Sequence, residues 1–450
     1  MPRPTKPEQP STTQPPRQEG APERDAARHL AIGLLIGVVQ EGRALDEQDL
    51  PPAAPHVRAR ARRLTLAILR DLQRTDAVLA PLLRKPPPPR LHALLRLAVT
   101  EILALGAPPH AVVQAAVALA RAEKGGSAMA GMVNAVLRRA SRTKPEDWAA
   151  LPLPRLPGWL RRRLTAAYGA AALPAIEAAH HAGAPLDLTL APMPDGEKRV
   201  LILALTEVTG PVQPLPGGSV RLSTRAQVSA LPGYAEGRWW VQDAAAALPA
   251  QLLNPRPGER VLDLCAAPGG KTMQLAATGA QVTALDRSAP RLARLQENLA
   301  RTGLQADVIC ADALDWAPPA PVDALLLDAP CTATGTIRRH PELPLIRKPA
   351  DLQALAALQA QLIDRAAGFL RPGGRLVYCT CSLLPEEGEA QLAAALARHP
   401  ELRLMAHPPL PLGTPSPAGG WRTRPDDPAL AGGMDGFFMV LLEKTPAPST

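Results

Sequence analysis

Aromatic side chains are scarce in this chain. There are 6 Trp, 3 Tyr and 3 Phe, or 3% of 450 residues. A core built from such a sequence is aliphatic, made of Leu, Ala and Val. The same shortage argues against base recognition by stacking on an aromatic sheet. Cysteine is sparse too. Cys265, Cys310, Cys331, Cys379 and Cys381 all lie in the second half, form no C-x-x-C pair and are odd in number. That argues against a zinc ribbon and against a disulfide scaffold, and no metal is expected. Long hydrophobic runs are also missing. Nothing approaches the ~18 apolar residues of a membrane span. The N-terminal MPRPTKPEQPSTTQPPRQEG holds no apolar stretch long enough for a signal peptide. The expectation is a soluble, cytoplasmic chain with free thiols and no membrane partner.

Proline, by contrast, is abundant: 53 residues, more than twice the usual ~5%. The apolar fraction of 46% and the charged fraction of 20% are ordinary. The length suits roughly three domains, or one large and one small. The net charge of +9 is unevenly spread. Residues 51–163 hold 20 Lys/Arg against 6 Asp/Glu, a net of +14, and leave −5 for the rest. A basic segment beside a mildly acidic remainder suggests a polyanion-binding module joined to something else. The bland reading is a solvated, arginine-rich helical surface.

Residues 1–21 lack large apolar side chains and read as a disordered tail. Residues 22–145 carry apolar positions at helical spacing, broken at Pro51–Pro52, at the KPPPP run, at Pro108–Pro109 and at Gly125–Gly126. This predicts an all-α bundle. Its arginines cluster at Arg58, Arg60, Arg62 and Arg63 and again at Arg138, Arg139 and Arg142. Residues 150–235 read as a small α+β linker domain, with a basic helix in LPGWLRRRLTAAYG and short strands in APLDLTLAP and GSVRLS. Over 236–446, VLDL, QVTALD, ADVIC, DALLLD, RLVYCT and FFMVLLEK alternate with helical patterns. Such alternation predicts a doubly wound, mainly parallel α/β sheet. Ligands bind such sheets at the carboxyl ends of the strands near the switch point.

The glycine-rich turn LDLCAAPGGKT follows a strand and opens a helix. Small residues there let backbone amides approach a ligand. Gly270, Lys271 and Thr272 fit the end of a P-loop, but Cys265 stands where its first glycine belongs. Asp286, ending the second strand, suits a ribose diol instead, as for S-adenosylmethionine or NAD. Asp312 ends the third strand, where it would sit at the adenine end of a nucleoside or serve as a helix N-cap. The fourth strand delivers Asp328, Ala329, Pro330 and Cys331, and the fifth delivers Cys381. A thiol near basic groups or a helix N-terminus is a nucleophile. Cys310, inside a strand, reads as an inert small hydrophobe. So does Cys379, assigned to the face opposite Cys381. One chemistry uses a thiol, a carboxylate and a methyl donor together. Addition of a thiolate to cytosine C6 makes C5 nucleophilic toward a sulfonium methyl.

LDLCAAPGGKT, ALDRS, DALLLDAPCTATGTIRRHPE, YCTCSLLPEE and GMDGFF, in this order over about 239–444, resemble the RNA 5-methylcytosine methyltransferases of the NOL1/NOP2/Sun family. The helical segment, with its MVNAVLRR end, resembles a NusB-like RNA-binding domain. The pairing is similar to the Sun type that modifies small-subunit ribosomal RNA. The resemblance implies a Rossmann-like class I methyltransferase domain with S-adenosylmethionine on Cys265, Ala266, Ala267, Pro268, Gly269, Gly270, Lys271, Asp286, Asp312 and Asp328. It implies Cys381 as nucleophile, Cys331 as the aid to product release, Asp328 as base and stabiliser of the adduct, and Lys271 near the methionine and substrate side. The family carries a small residue where Cys379 stands. RNA contacts are expected from Arg58, Arg60, Arg62, Arg63, Arg138 and Arg139. The partner expected is small-subunit ribosomal RNA before full ribosome assembly, bound by a monomer. A transfer-RNA methyltransferase and a non-catalytic RNA-binding factor are the alternatives.

Overall fold

The structure is a computed structural model and describes residues 21–123, 126–223 and 227–445. The tail expected to be disordered lies outside the described residues, save for its last position. The chain divides into two compact units, one ending at Pro152 and the other starting at Leu153.

The first unit is helical, as its periodicity predicts. Its main helices are Ala21–Val39, Pro55–Arg70, Leu72–Leu79, Pro89–Val99, Pro109–Ala122 and Ala130–Ala140. Part of the proline excess finds its reason here. Pro55, Pro89, Pro109 and Pro145 each open a helix, where a missing N–H costs nothing and the fixed φ is already helical. Leu34, Leu35, Ile68, Leu95, Leu97 and Leu137 fill an aliphatic core. One buried ion pair crosses it: Arg28 donates to both Glu101 oxygens, at 2.8 and 2.9 Å.

The second unit holds two sheets. The smaller consists of β1 (Leu186–Leu190), β2 (Val212–Pro214), β3 (Val220–Leu222) and β4 (Trp239–Val241), antiparallel in the order β2-β3-β1-β4. Two of these strands match the expected APLDLTLAP and GSVRLS segments. β4 comes from beyond residue 235, so the small sheet spans the boundary drawn from sequence.

The larger sheet is built from β5 (Arg260–Leu264), β6 (Gln281–Asp286), β7 (Asp307–Cys310), β8 (Val322–Asp328), β9 (Leu370–Thr380), β10 (Leu402–Leu404), β11 (Thr414–Pro415), β12 (Trp421–Thr423) and β13 (Phe437–Lys444). Its order is β11-β12-β13-β9-β8-β5-β6-β7, with β10 also on β13. β5 to β9 run parallel, and β13 returns antiparallel to β9. The continuous apolar run of β8 is explained by burial on both faces. Leu325 and Leu327 join one core with Leu262, Leu264 and Tyr378. Ala324 and Leu326 join another with Val261, Val377 and Met439. β10, β11 and β12 were not expected, since two or three residues carry no readable alternation. The chain leaves β5 toward β6 and reaches β8 on the other side, so the switch point falls between β5 and β8.

Arg221 links the small sheet to the segment that precedes β13. Arg221 on β3 grips Asp187 on β1 through two bonds, at 2.7 and 2.8 Å, and also donates to the Ala431 and Gly433 carbonyls. The 431–436 segment leads straight into β13.

Candidate active site

The glycine turn forms the floor of the switch-point crevice. Cys265 has a positive φ of 62°, and Gly269 one of 102°. A Cβ on Gly269 would lie 2.7 Å from Leu295 Cγ, so only glycine lets the turn pass this close to the neighbouring helix. Ala266 and Ala267 are buried beside it. Asp286 is buried and braces the turn, accepting from Ala267 N at 3.1 Å and Ser288 N at 2.9 Å. Asp312 is exposed past the end of β7 and accepts from Leu314 N at 2.9 Å. Asp312 caps a turn rather than a helix, and its side chain is otherwise open to solvent. Small residues with carboxylates at the ends of β6 and β8 and beyond β7 suit a nucleoside that carries a cationic sulfonium. A P-loop does not fit, because Lys271 is buried and committed to Asp328.

The reactive groups meet at the ends of β8 and β9. Lys271 Nζ donates to Asp328 Oδ2 at 2.8 Å. Burial works against the Lys271 charge, but the Asp328 carboxylate outweighs it and holds the ammonium well above its ordinary value. Cys331 Sγ lies 3.5 Å from Cys381 Sγ. The hydrogen bond with Cys381, followed by burial, pushes the Cys331 thiol well up. Cys331 therefore stays protonated and can donate to its neighbour.

A buried polar cluster holds the two thiol loops together. Glu387 is fully buried. It accepts from Thr332 N at 2.8 Å, Thr332 Oγ1 at 2.5 Å and Gln359 Nε2 at 3.1 Å. Thr334 and Ser382 pair at 3.2 Å across the loops. Gly335 N donates to the Cys381 carbonyl, and Gly436 N donates to the Gly335 carbonyl. A Cβ on Gly335 would fall 1.9 Å from Gly436 O, so the GMDG segment and the Cys331 loop touch backbone to backbone. Arg339 completes the frame by donating to buried Asp435 at 2.7 Å. Sequence reasoning missed Glu387, Arg339 and Asp435. Buried charge on a loop leaves no periodicity to find.

Two cysteine expectations need correction. Cys379 does not face away from Cys381. Residues two apart on a strand share a face, and Cys379 Sγ sits 3.4 Å from Asp328 Oδ1. Cys310 is not a buried hydrophobe: it ends β7 and is exposed. The arginine clusters divide. Arg58, Arg63, Arg138 and Arg139 are exposed on the first unit. Arg62 instead pairs with Asp46 at 2.9 Å and donates to Leu45 O, and Arg60 is half-buried. Among the described residues, no group of three or more His, Cys, Asp or Glu could hold a metal. None of the described helices is long and apolar enough to cross a membrane.

Asp263, under the turn, yields a stability prediction. It is fully buried, and burial pushes its carboxyl up to about 7, against the donation from Thr272 Oγ1 at 2.6 Å. The folded protein keeps a proton here that the unfolded chain releases near pH ~4. The associated stability is complete below that pH and is lost as pH rises through about 7. Between pH 5 and pH 8 the wild type should lose at most roughly 3 kcal/mol relative to Asp263→Asn. Urea unfolding of both proteins at both pH values reads the difference, and equal pH slopes would contradict it.

The strand order and the thiols at the ends of β8 and β9 define a Rossmann-like methyltransferase domain, carried behind a NusB-type helical domain. Family models agree: one described as 16S rRNA methyltransferase RsmB/F matches residues 250–442, and the NusB family matches 25–142. The chain belongs to the ribosomal RNA small subunit methyltransferase B family. It is 40% identical to that protein of Xanthomonas campestris over 439 residues, 93% of this chain and 97% of the relative. It is 37% identical to the one from Klebsiella pneumoniae over 441 residues, 93% of this chain and 98% of the relative. In fold it is similar to the crystal structure of PH0851, with a TM-score of 0.73 and 24% identity, covering 95% of this chain and 100% of that one.

Proposed function

We propose that this chain transfers a methyl group from S-adenosylmethionine to C5 of a cytosine in small-subunit ribosomal RNA, through a covalent bond between Cys381 and C6. The observation that carries the mechanism is the 3.5 Å approach of the Cys331 and Cys381 sulfurs beside the Lys271–Asp328 pair. The relatives' names supply the RNA. The exposed arginines of the NusB-type unit supply its phosphate contacts. The setting is cytoplasmic RNA before full ribosome assembly, met by a monomer.

Cys265 to Gly270, Asp286 and Asp312 would hold the cofactor, which when bound supplies an electrophilic methyl. The residues do the rest. Cys381 gives up its proton to N3 by way of the Asp328 carboxylate and adds its sulfur to C6, and the displaced electron pair makes C5 nucleophilic. Asp328, fixed by Lys271, stands at the pyrimidine ring and stabilises the adduct's nitrogen side. After transfer, the Asp328 carboxylate takes the C5 proton, the C6–S bond breaks and its electron pair returns to Cys381. Cys331, kept protonated, donates to that departing thiolate. The target base must leave its stack to reach the crevice.

Labelled S-adenosylmethionine and unmodified 16S rRNA test this directly. Label is expected in 5-methylcytidine after nucleoside digestion. Label on adenine, or none in RNA, would overturn the proposal.

RNA affinity is expected to fall steeply with salt, because each neutralised phosphate releases counterions. Replacing Arg138 and Arg139 together by Ala should reduce the slope of log affinity against log salt by about 1 to 2. Filter binding across a salt series measures it. An unchanged slope would remove these arginines from the RNA interface.

A further inference from the structure

We propose that Cys379 is a positioning residue of the methyl-transfer site. Its thiol donates to Asp328 Oδ1 while Lys271 donates to Oδ2, and the two together fix the carboxylate that meets the cytosine. This rests on the reading that Asp328 acts on the base.

The arrangement follows from the register. Asp328 and Cys379 are paired positions on the parallel strands β8 and β9. Ala329 N donates to the Cys379 carbonyl at 3.0 Å, which closes the ladder just past the pair. With the backbones locked side by side, the Cys379 sulfur lies 3.4 Å from Asp328 Oδ1, and the Lys271 nitrogen 2.8 Å from Oδ2. A carboxylate held at both oxygens has one orientation. Cys379 is fully buried, so it does not compete with Cys381 for substrate. Burial, then the Asp328 charge, pushes its thiol well up, which keeps the proton on sulfur and the group a donor. A residue serving only to fill space would need no such partner. Alanine fills most of the same volume but donates nothing, whereas serine keeps the donor.

The test compares full-length wild type, Cys379→Ala and Cys379→Ser. Turnover is measured at saturating S-adenosylmethionine and RNA, with KM for each and the thermal midpoint. Cys379→Ala is expected to lose about tenfold in kcat, the effect of one hydrogen bond to a charged group, with both KM values within about twofold. Cys379→Ser should recover to within about threefold of wild type. Wild-type kcat in Cys379→Ala would overturn the proposal, as would equal losses in the two variants. A wild type that leaves cytosine unmethylated would instead overturn the reading of the site on which this rests.

Discussion

Cys381→Ala should be inactive, with methyl transfer reduced by about 10³-fold or more, because the residue forms the only bond that activates C5. No nearby group substitutes. With the Cys381 sulfur gone, burial still raises the Cys331 thiol, and Cys379 is fully buried against Asp328. The loss should be purely chemical. The loop is held at residue 381 through its carbonyl, which accepts from Gly335 N at 2.9 Å and survives the substitution. The Thr334–Ser382 and Glu387 contacts also remain. The thermal midpoint and the affinity for S-adenosylmethionine are therefore expected to match wild type. Activity above about a tenth of wild type would contradict the assignment.

Cys331→Ala should fail differently. The variant still forms the C6 bond and still methylates, but it lacks the thiol that donates to the departing Cys381 sulfur. Without that donor the leaving thiolate has no proton to take from its neighbour, and elimination slows. Protein bound covalently to RNA should accumulate, and should survive denaturing electrophoresis as a slow band that nuclease collapses. Wild type should show little of it, and the double variant lacking Cys331 and Cys381 none. An adduct found instead in Cys381→Ala would mean that the two thiols exchange roles.

Much of this site is legible in the sequence, for a physical reason. The turn at 265–270 needs small residues because the chain reverses against Leu295, and that need is written as AAPGG. β8 is buried on both faces, so its run of apolar residues ends abruptly in the chemistry-bearing Asp328. The bundle is readable because helices imprint a period of 3.6. What escapes the sequence depends on pairing across distance. Glu387 looks like one of two glutamates at a helix start, yet it is fully buried and holds Thr332. Asp435 and Arg339 are far apart in sequence and meet only through the fold. Cys379 is misplaced by a wrong parity: its distance of two from Cys381 puts both on one face, and its partner on β8 appears only with the strand register. Charge composition marks the basic segment but does not tell the exposed Arg58, Arg63, Arg138 and Arg139 from Arg62, which pairs with Asp46.

The most direct test is the identity of the bond in the trapped complex. Cys331→Ala is incubated with RNA and labelled S-adenosylmethionine, digested with protease and nuclease, and the cross-linked peptide is sequenced by mass spectrometry. The expected product is a cytidine joined to Cys381 and carrying the labelled methyl on C5. A nucleotide joined to any other residue, or a methyl on any atom but C5, would contradict the account.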